Sequence, residues 1–343
     1  MPDRLHRRGT HVKPEQGTGA KRPGKGGSAL LLALLLSASF FLIHAPGATA
    51  ATITGYTPIF RTGHDRTGTL QIAIRRFQQN GTPRLLVVNP ATLATATVAA
   101  TEMDFGREIP SATLQETPYL KALVRHTAPP FLLQNHGARH ADQPVDGLFL
   151  TVDMCPSVRP FEREFFVAVS RLSQKKEGPV PVAVAMTGRW LEQHPKELAW
   201  LKEQVSAGRL AITWVNHSLT HPYDPRVPLE RTFLLTPGTD LEREALATEV
   251  LLLENGLTPD PYFRFPGLVA DGALIRELKE LGLIPLGADA WLAKGETPRP
   301  GSFVLVHGNG NEPPGIKKAL ALFTSGHLHL LPLSRAFTTA TPP

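Results

Sequence analysis

At 343 residues, with 42% apolar and 19% charged side chains, the chain is long enough for one large or two modest globular domains and too apolar for a disordered one. A net charge of +6 invites a nucleic-acid partner, but residues 1–27 carry seven Lys/Arg (Arg4, Arg7, Arg8, Lys13, Lys21, Arg22, Lys25) against Asp3 and Glu15, which accounts for five of those charges. The rest is close to neutral, so the charge makes no case for nucleic acid. A single cysteine, Cys155, excludes an internal disulfide.

The basic leader runs into "ALLLALLLSASFFLI" (Ala29 to Ile43) and then "APGATA", with Ala48-Thr49-Ala50 suited to signal peptidase. The apolar stretch has 15 residues, short of the roughly 20 that span a bilayer. Residues 1–50 therefore read as a signal peptide cleaved after Ala50, and the mature chain as periplasmic or secreted. An uncleaved N-terminal anchor is the alternative, and the leader is then the one membrane contact.

Between residues 51 and 145 the strand-like pieces "LQIAIRRF" and "RLLVVNP" precede a helical "TPYLKALVRH", then a Pro/Gly/His-rich connector, "APPFLLQNHGARHADQPVDG". This reads as a small α/β accessory region with no catalytic motif. The connector's His136 and His140 repeat an i, i+4 spacing, but the Gly between them and the loop surroundings argue against coordination.

From residue 146 to about 335 the rhythm changes. Seven short apolar runs ("GLFLTV", "VPVAVAMTG", "RLAITWVN", "PYFRFPG", "LIPLGADAW", "SFVLVHG", "HLHLLPLS") alternate with amphipathic segments such as "FEREFFVAVSRLSQKK", "PKELAWLKEQVSAG", "DLEREALATEVLLLENG" and "DGALIRELKELG". That pattern predicts βα units around a parallel sheet closed as a barrel, with helix ends at Gly208, Gly256 and Gly282. Chemically capable residues gather at or near the ends of the runs: Asp153 on the first, His217 on the third, Arg264 in the fourth, Asp289 in the fifth and His307 on the sixth. Barrels of this kind build active sites where strand C-termini converge.

Within "NHSLTH", His217 and His221 stand four apart; on a helical turn both imidazoles would share a face and could hold one metal ion. His307, before a Gly-rich loop, suits general acid work near neutral pH. Arg264, among aromatic residues, needs a carboxylate partner, and Asp153 and Asp289 are the candidates.

On these residues the span 147–310 resembles the polysaccharide deacetylases, carbohydrate esterase family 4. "TVDMCP" resembles that family's Thr-Phe-Asp-Asp-Gly-Pro, "HSLTH" its His-Ser/Thr-x-x-His and "RFPG" its Arg-x-Pro, while "DAW" and "LVH" look like its last two motifs. The resemblance implies a distorted (β/α)7 barrel and a metal-dependent N-deacetylase acting on an N-acetylated glycan such as peptidoglycan, poly-N-acetylglucosamine or a chitin-like polymer. The metal it implies is divalent, zinc first, with cobalt or nickel as alternatives. It further implies Asp153 as general base, His217 and His221 as metal ligands and His307 as general acid. Arg264 would orient Asp153, Asp289 would tune His307, and Trp291 with Leu305 would wall the acetyl pocket.

The first motif departs from the family. Aligning Thr151 and Pro156 sets Met154 where the family has its third metal ligand, an aspartate, and a thioether is a poor ligand for such ions. Either the site is weakened or another group completes it; Cys155, at the family's glycine, is a candidate, with plain burial as the alternative reading. Two rival functions follow: a glycan-binding protein that has lost catalysis, and an amidase for a small non-sugar substrate on the same barrel.

Overall fold

The computed structural model describes residues 51–172, 178–324 and 329–338; the leader, residues 1–50, lies outside them. No helix among the described residues is long and apolar enough to cross a membrane.

Four antiparallel strands come first in the order β1-β2-β3-β4: β1 (Ile53–His64), β2 (Leu70–Gln79), β3 (Thr82–Val88) and β4 (Thr95–Ala99). The two strand-like pieces of the sequence are β2 and β3. The flanking β1 and β4 are harder to read because edge strands tolerate polar, Gly and Pro residues, and β1 carries all of these and two register shifts. Helices α1 (Ser111–Gln115) and α2 (Pro118–His126) follow, α2 with Pro at its first turn.

The second sheet has seven parallel strands in the order β10-β11-β5-β6-β7-β8-β9. In chain order its elements are β5 (Phe149–Met154), α3 (Arg163–Ser170), β6 (Val180–Met186), α4 (Gly188–Gln193), α5 (Pro195–Ser206), β7 (Leu210–Asn216), α6 (Leu241–Glu254) and β8 (Tyr262–Phe263). Then come α7 (Gly272–Glu280), β9 (Ile284–Pro285), β10 (Ala290–Trp291), β11 (Phe303–His307) and α8 (Pro313–Thr324). This is a distorted (β/α)7 barrel with a separate antiparallel sheet at its N-terminal side. Gly208, Gly256 and Gly282 follow α5, α6 and α7 with φ of 67°, 74° and 71°, the left-handed turn that ends a helix.

Two of the seven runs differ from expectation. "LIPLGADAW" splits into β9 and β10, and "HLHLLPLS" is no strand of the sheet: its described part makes a single bridge, Leu148 to Leu330, before a short helical turn at Leu333–Ala336. Strands β9 and β10 are not hydrogen-bonded to each other, and the connector fills that seam. Ala138 N–H donates to Pro285 O (2.8 Å), Gly287 N–H to Ala138 O (2.8 Å) and Phe303 N–H to Arg139 O (3.2 Å). Gly137 has φ of 110°, and a Cβ there would lie 2.4 Å from Pro285 O, so only glycine lets the connector approach β9. His136 Nδ1 accepts from Leu132 N–H and His140 Nε2 meets Pro300 O at 2.9 Å, so both imidazoles are engaged with backbone.

Side-chain alternation assigns each strand residue to one of two apolar layers. Val152, Met154, Val184, Met186, Val304 and Val306 point outward to Phe166, Trp190, Leu201 and Phe323 on the helices. Phe149, Ala183, Ala185, Val215 and Phe303 point inward and share a cluster with Ile72, Ile74, Val88 and Tyr119 of the N-terminal layer. That layer is also tied down by polar groups. Arg75 on β2, fully buried, pairs with Glu249 on α6 at 2.7 Å, and Tyr119 donates to Gly282 O at 2.6 Å.

Removing one partner of a buried ion pair strands the other charge, whereas replacing both with apolar groups can be nearly neutral. Glu249→Leu is expected to lower unfolding free energy by about 3–5 kcal/mol, while the double variant Arg75→Met/Glu249→Leu recovers much of it. Denaturant titration at unchanged m-value reads both; equal losses in the single and double variants would contradict this account.

Candidate active site

Inward-facing Thr151, Asp153 and Cys155 lie on one side of β5 and its extension. Asp153 is buried at 3% exposure, and Arg264, just past β8, is fully buried beside it. Arg264 Nη1 donates to Asp153 Oδ1 (2.8 Å) and to Thr151 Oγ1 (2.7 Å), while Nη2 donates to Gly287 O (2.9 Å). Burial raises the Asp153 pKa, but the charges of Arg264, then His217 and His307, outweigh it and hold the carboxyl below its usual range. Asp153 is therefore an ionised base held in one orientation.

His217 and His221 do not stand on a helical turn. They sit in the loop after β7, where Ser218 and His221 take positive φ of 70° and 48°. Side chains, not helix geometry, shape this loop: Asn216 Oδ1 accepts from Ser218 N–H, and Glu244 on α6 accepts from Leu219 N–H, Thr220 N–H and the Thr220 hydroxyl. The two rings still meet, with centroids 4.9 Å apart. His217 Nδ1 lies 2.7 Å from Arg264 O and donates to it, which leaves Nε2 as the free lone pair; this points 3.5 Å from Cys155 Sγ and 3.7 Å from Asp153 Oδ2.

Donor atoms of Cys155, His217 and His221 all lie within 4.8 Å of one another. One sulfur and two imidazole nitrogens suit zinc and its borderline-soft neighbours, and three protein donors leave a fourth position open, as catalytic zinc sites require. The residues fit a divalent ion. Burial raises the Cys155 pKa, but the charges of His221 and His307 and hydrogen bonds with His217 and His221 bring the thiol well below its usual value. His221 is shifted up, burial being outweighed by Cys155.

Met154 takes no part. It lies outward in the helix-facing core at 0% exposure, because a residue next to inward Asp153 on a strand must face the other way. Met154, which stands where the resembling family has its third ligand, therefore offers no donor here, and the sulfur on the site's side of the chain is that of Cys155.

His307 ends β11 in register with Asp153. The expected partner Asp289 is elsewhere: it accepts from Phe303 N–H (3.1 Å) and faces Arg299 (3.6 Å). Phe303 precedes His307 by four strand residues, about 13 Å along β11. The partner that sequence reading missed is Glu312, five residues on, whose Oε2 lies 2.9 Å from His307 Nδ1 and accepts from Trp291 Nε1 at 2.7 Å. The His307 contact is an ion pair lying off the hydrogen-bond direction. Burial lowers the His307 pKa, but Cys155, then Glu312 and Asp153, raise it well above the ordinary histidine value. Trp291 and Leu305 do come together, in a small cluster with Leu268 and Ala288. On the other side Tyr223, 61% exposed, stacks on Phe233, which meets His221 edge-on.

A family model described as the RP012 protein N-terminal domain matches residues 54–119, nearly all of the antiparallel sheet with α1. Among solved structures, the chain is similar to a family 4 carbohydrate esterase from Bacillus anthracis, at 19% identity over 58% of this chain and 86% of that one, TM-score 0.43. It is also similar to Bacillus subtilis PdaA, of the same esterase family, at 15% identity over 65% and 86%, TM-score 0.42. A pseudoenzyme of that family from Bacillus anthracis is similar at 12% identity over 81% and 89%, TM-score 0.40. Likenesses of this degree do not assign an activity, so the chemistry must come from the residues themselves.

Glu312→Gln should lower the His307 pKa in the metal-free chain, since it removes a negative charge that favours the imidazolium. Asp289→Asn should leave it where it was. NMR titration of the ring protons distinguishes the two; the reverse pattern would restore Asp289 as the tuning group.

Proposed function

We propose that the protein is an exported, metal-dependent N-deacetylase that hydrolyses the acetamide of an N-acetylated sugar polymer. The observation that carries this reading is the placement of Asp153 and His307 in register on adjacent strands beside the Cys155, His217 and His221 donors, with the carboxyl held below its usual range and the imidazole raised above its own. Amide hydrolysis needs one group to take a proton and another to give one, and two neighbouring groups whose surroundings push their pKa values apart supply that division.

His217 and His221 would hold the ion, which when bound supplies Lewis acidity toward the amide carbonyl and an attacking water of lowered pKa. Asp153, oriented by Arg264, accepts the proton from the attacking water. His307, steadied by Glu312, donates a proton to the nitrogen of the leaving amine. Trp291, Leu305, Leu268 and Ala288 form an apolar cluster that would serve as the wall for an acetyl methyl. Tyr223 presents an exposed aromatic face beside His221, a surface on which a sugar ring stacks.

Export is supported by the basic and apolar leader, and the resemblance of the motifs in residues 147–310 to the polysaccharide deacetylases supports a glycan substrate. A binding protein that had lost catalysis has no need of an oppositely ionised acid and base, so the pairing of Asp153 with His307 favours the hydrolase.

The test is acetate release from peptidoglycan, poly-N-acetylglucosamine and chitin oligomers, with N-acetylated small amides as controls, after loading with zinc, cobalt or nickel. Release from a glycan is expected, and Asp153→Asn should reduce it by about 10²–10⁴-fold with metal content unchanged. Absence of release from every glycan, or full activity in Asp153→Asn, would overturn the proposal. Release from the small amides alone would replace the glycan with a non-sugar substrate.

A further inference from the structure

We propose that Cys155, as a thiolate, is the third protein ligand of the metal centre, so that the site is a Cys-His-His centre and not one completed by a carboxylate. This rests on the metal-dependent reading above and names the donor it leaves open.

Four observations converge. Alternation along β5 points Asp153 and Cys155 inward and Met154 into the helix-facing core, where a Cβ on Gly308 would lie 2.7 Å from its sulfur; Met154 has no room to turn. Cys155 Sγ lies 3.5 Å from His217 Nε2. Tetrahedral zinc, with Zn–S of about 2.3 Å and Zn–N of about 2.0–2.1 Å, places a sulfur and a nitrogen ligand about 3.6 Å apart, so this pair is already at ligand spacing. His217, 1% exposed, commits Nδ1 to Arg264 O, which fixes the tautomer and aims the Nε2 lone pair at the same point. Finally, the main chain at Cys155 is fixed: the buried Asn309 donates from Nδ2 to Cys155 O at 2.7 Å.

Asp153 stands beside the donor set without belonging to it: Oδ1 is bound to Arg264, Oδ2 lies 3.7 Å from His217 Nε2, and the mutually close donor atoms are those of Cys155, His217 and His221. Cys155 is the one cysteine of the chain and has no disulfide to make. A thiolate also selects among metals: sulfur favours zinc and cobalt over magnesium, calcium and manganese.

The experiment is cobalt(II) substitution of the full chain, read by absorption. One equivalent of cobalt is expected to give a thiolate-to-cobalt charge-transfer band in the near ultraviolet. The band should be absent from Cys155→Ser and His217→Ala and retained in Met154→Leu. In competition with a chelator, Cys155→Ser should hold zinc more than about a hundredfold less tightly, since loss of an outer partner alone costs 10–100-fold. The native spectrum decides even where a variant fails to fold: stoichiometric cobalt without a charge-transfer band overturns the thiolate ligand. A charge-transfer band with no acetate release from any glycan leaves the ligand set standing and removes the catalytic reading. Acetate release by a chain whose cobalt shows no such band does the opposite.

Discussion

A fully buried guanidinium has to be neutralised, and in this protein that requirement organises the site. Arg264 has no contact with solvent and directs its two Nη groups to Asp153, Thr151 and Gly287 O. An uncompensated buried charge costs several kcal/mol, so Asp153 stays ionised for a structural reason as well as a catalytic one. The carbonyl of the same residue accepts from His217 Nδ1, so one arginine fixes the charge of Asp153, the proposed base, and the tautomer of His217, a proposed metal ligand. Strands β5, β8 and β9 and the loop after β7 are brought to register around it.

Helix α6 extends this order outward. Glu244 turns toward the site and holds the backbone of the His217–His221 loop, while Glu249, buried on the same helix, pairs with Arg75 of the N-terminal sheet. The antiparallel sheet is therefore continuous in packing with the element that shapes the His217–His221 loop. The connector that follows the sheet closes the seam between the end strands β9 and β10, bonding to Pro285 and Gly287 on one side and to Phe303 on the other, which gives the N-terminal segment a second structural task.

Much of this was legible in the residues. The barrel followed from apolar runs alternating with amphipathic segments, and the cluster at strand ends followed from Asp153, His217, Arg264 and His307 each closing or flanking a run. What stayed open or was missed has a physical pattern. Motif matching set Met154 at the family's ligand position and left the third donor open; strand period 2 adds that if Asp153 faces in, Met154 faces out and Cys155 faces in. Asp289 was paired with His307 on the family resemblance alone, but it sits where β10 begins, level with the start of β11, and His307 is at the other end. Glu312 follows a Gly-rich turn whose path sequence does not specify, so its return to His307 could not be foreseen. The His217–His221 loop owes its shape to Glu244, more than twenty positions away in sequence, and local spacing carries no trace of such a partner.

The central claim is that a divalent ion is held at this constellation, within reach of Asp153 but not by it. Anomalous diffraction at the zinc edge from crystals of the zinc-loaded chain tests it most directly. The account predicts one peak at about 2.3 Å from Cys155 Sγ and about 2.0–2.1 Å from a nitrogen of each of His217 and His221, with the Asp153 carboxylate still on Arg264. A peak coordinated by Asp153, a peak remote from all three donors, or no peak from a chain loaded with one equivalent of zinc would contradict it.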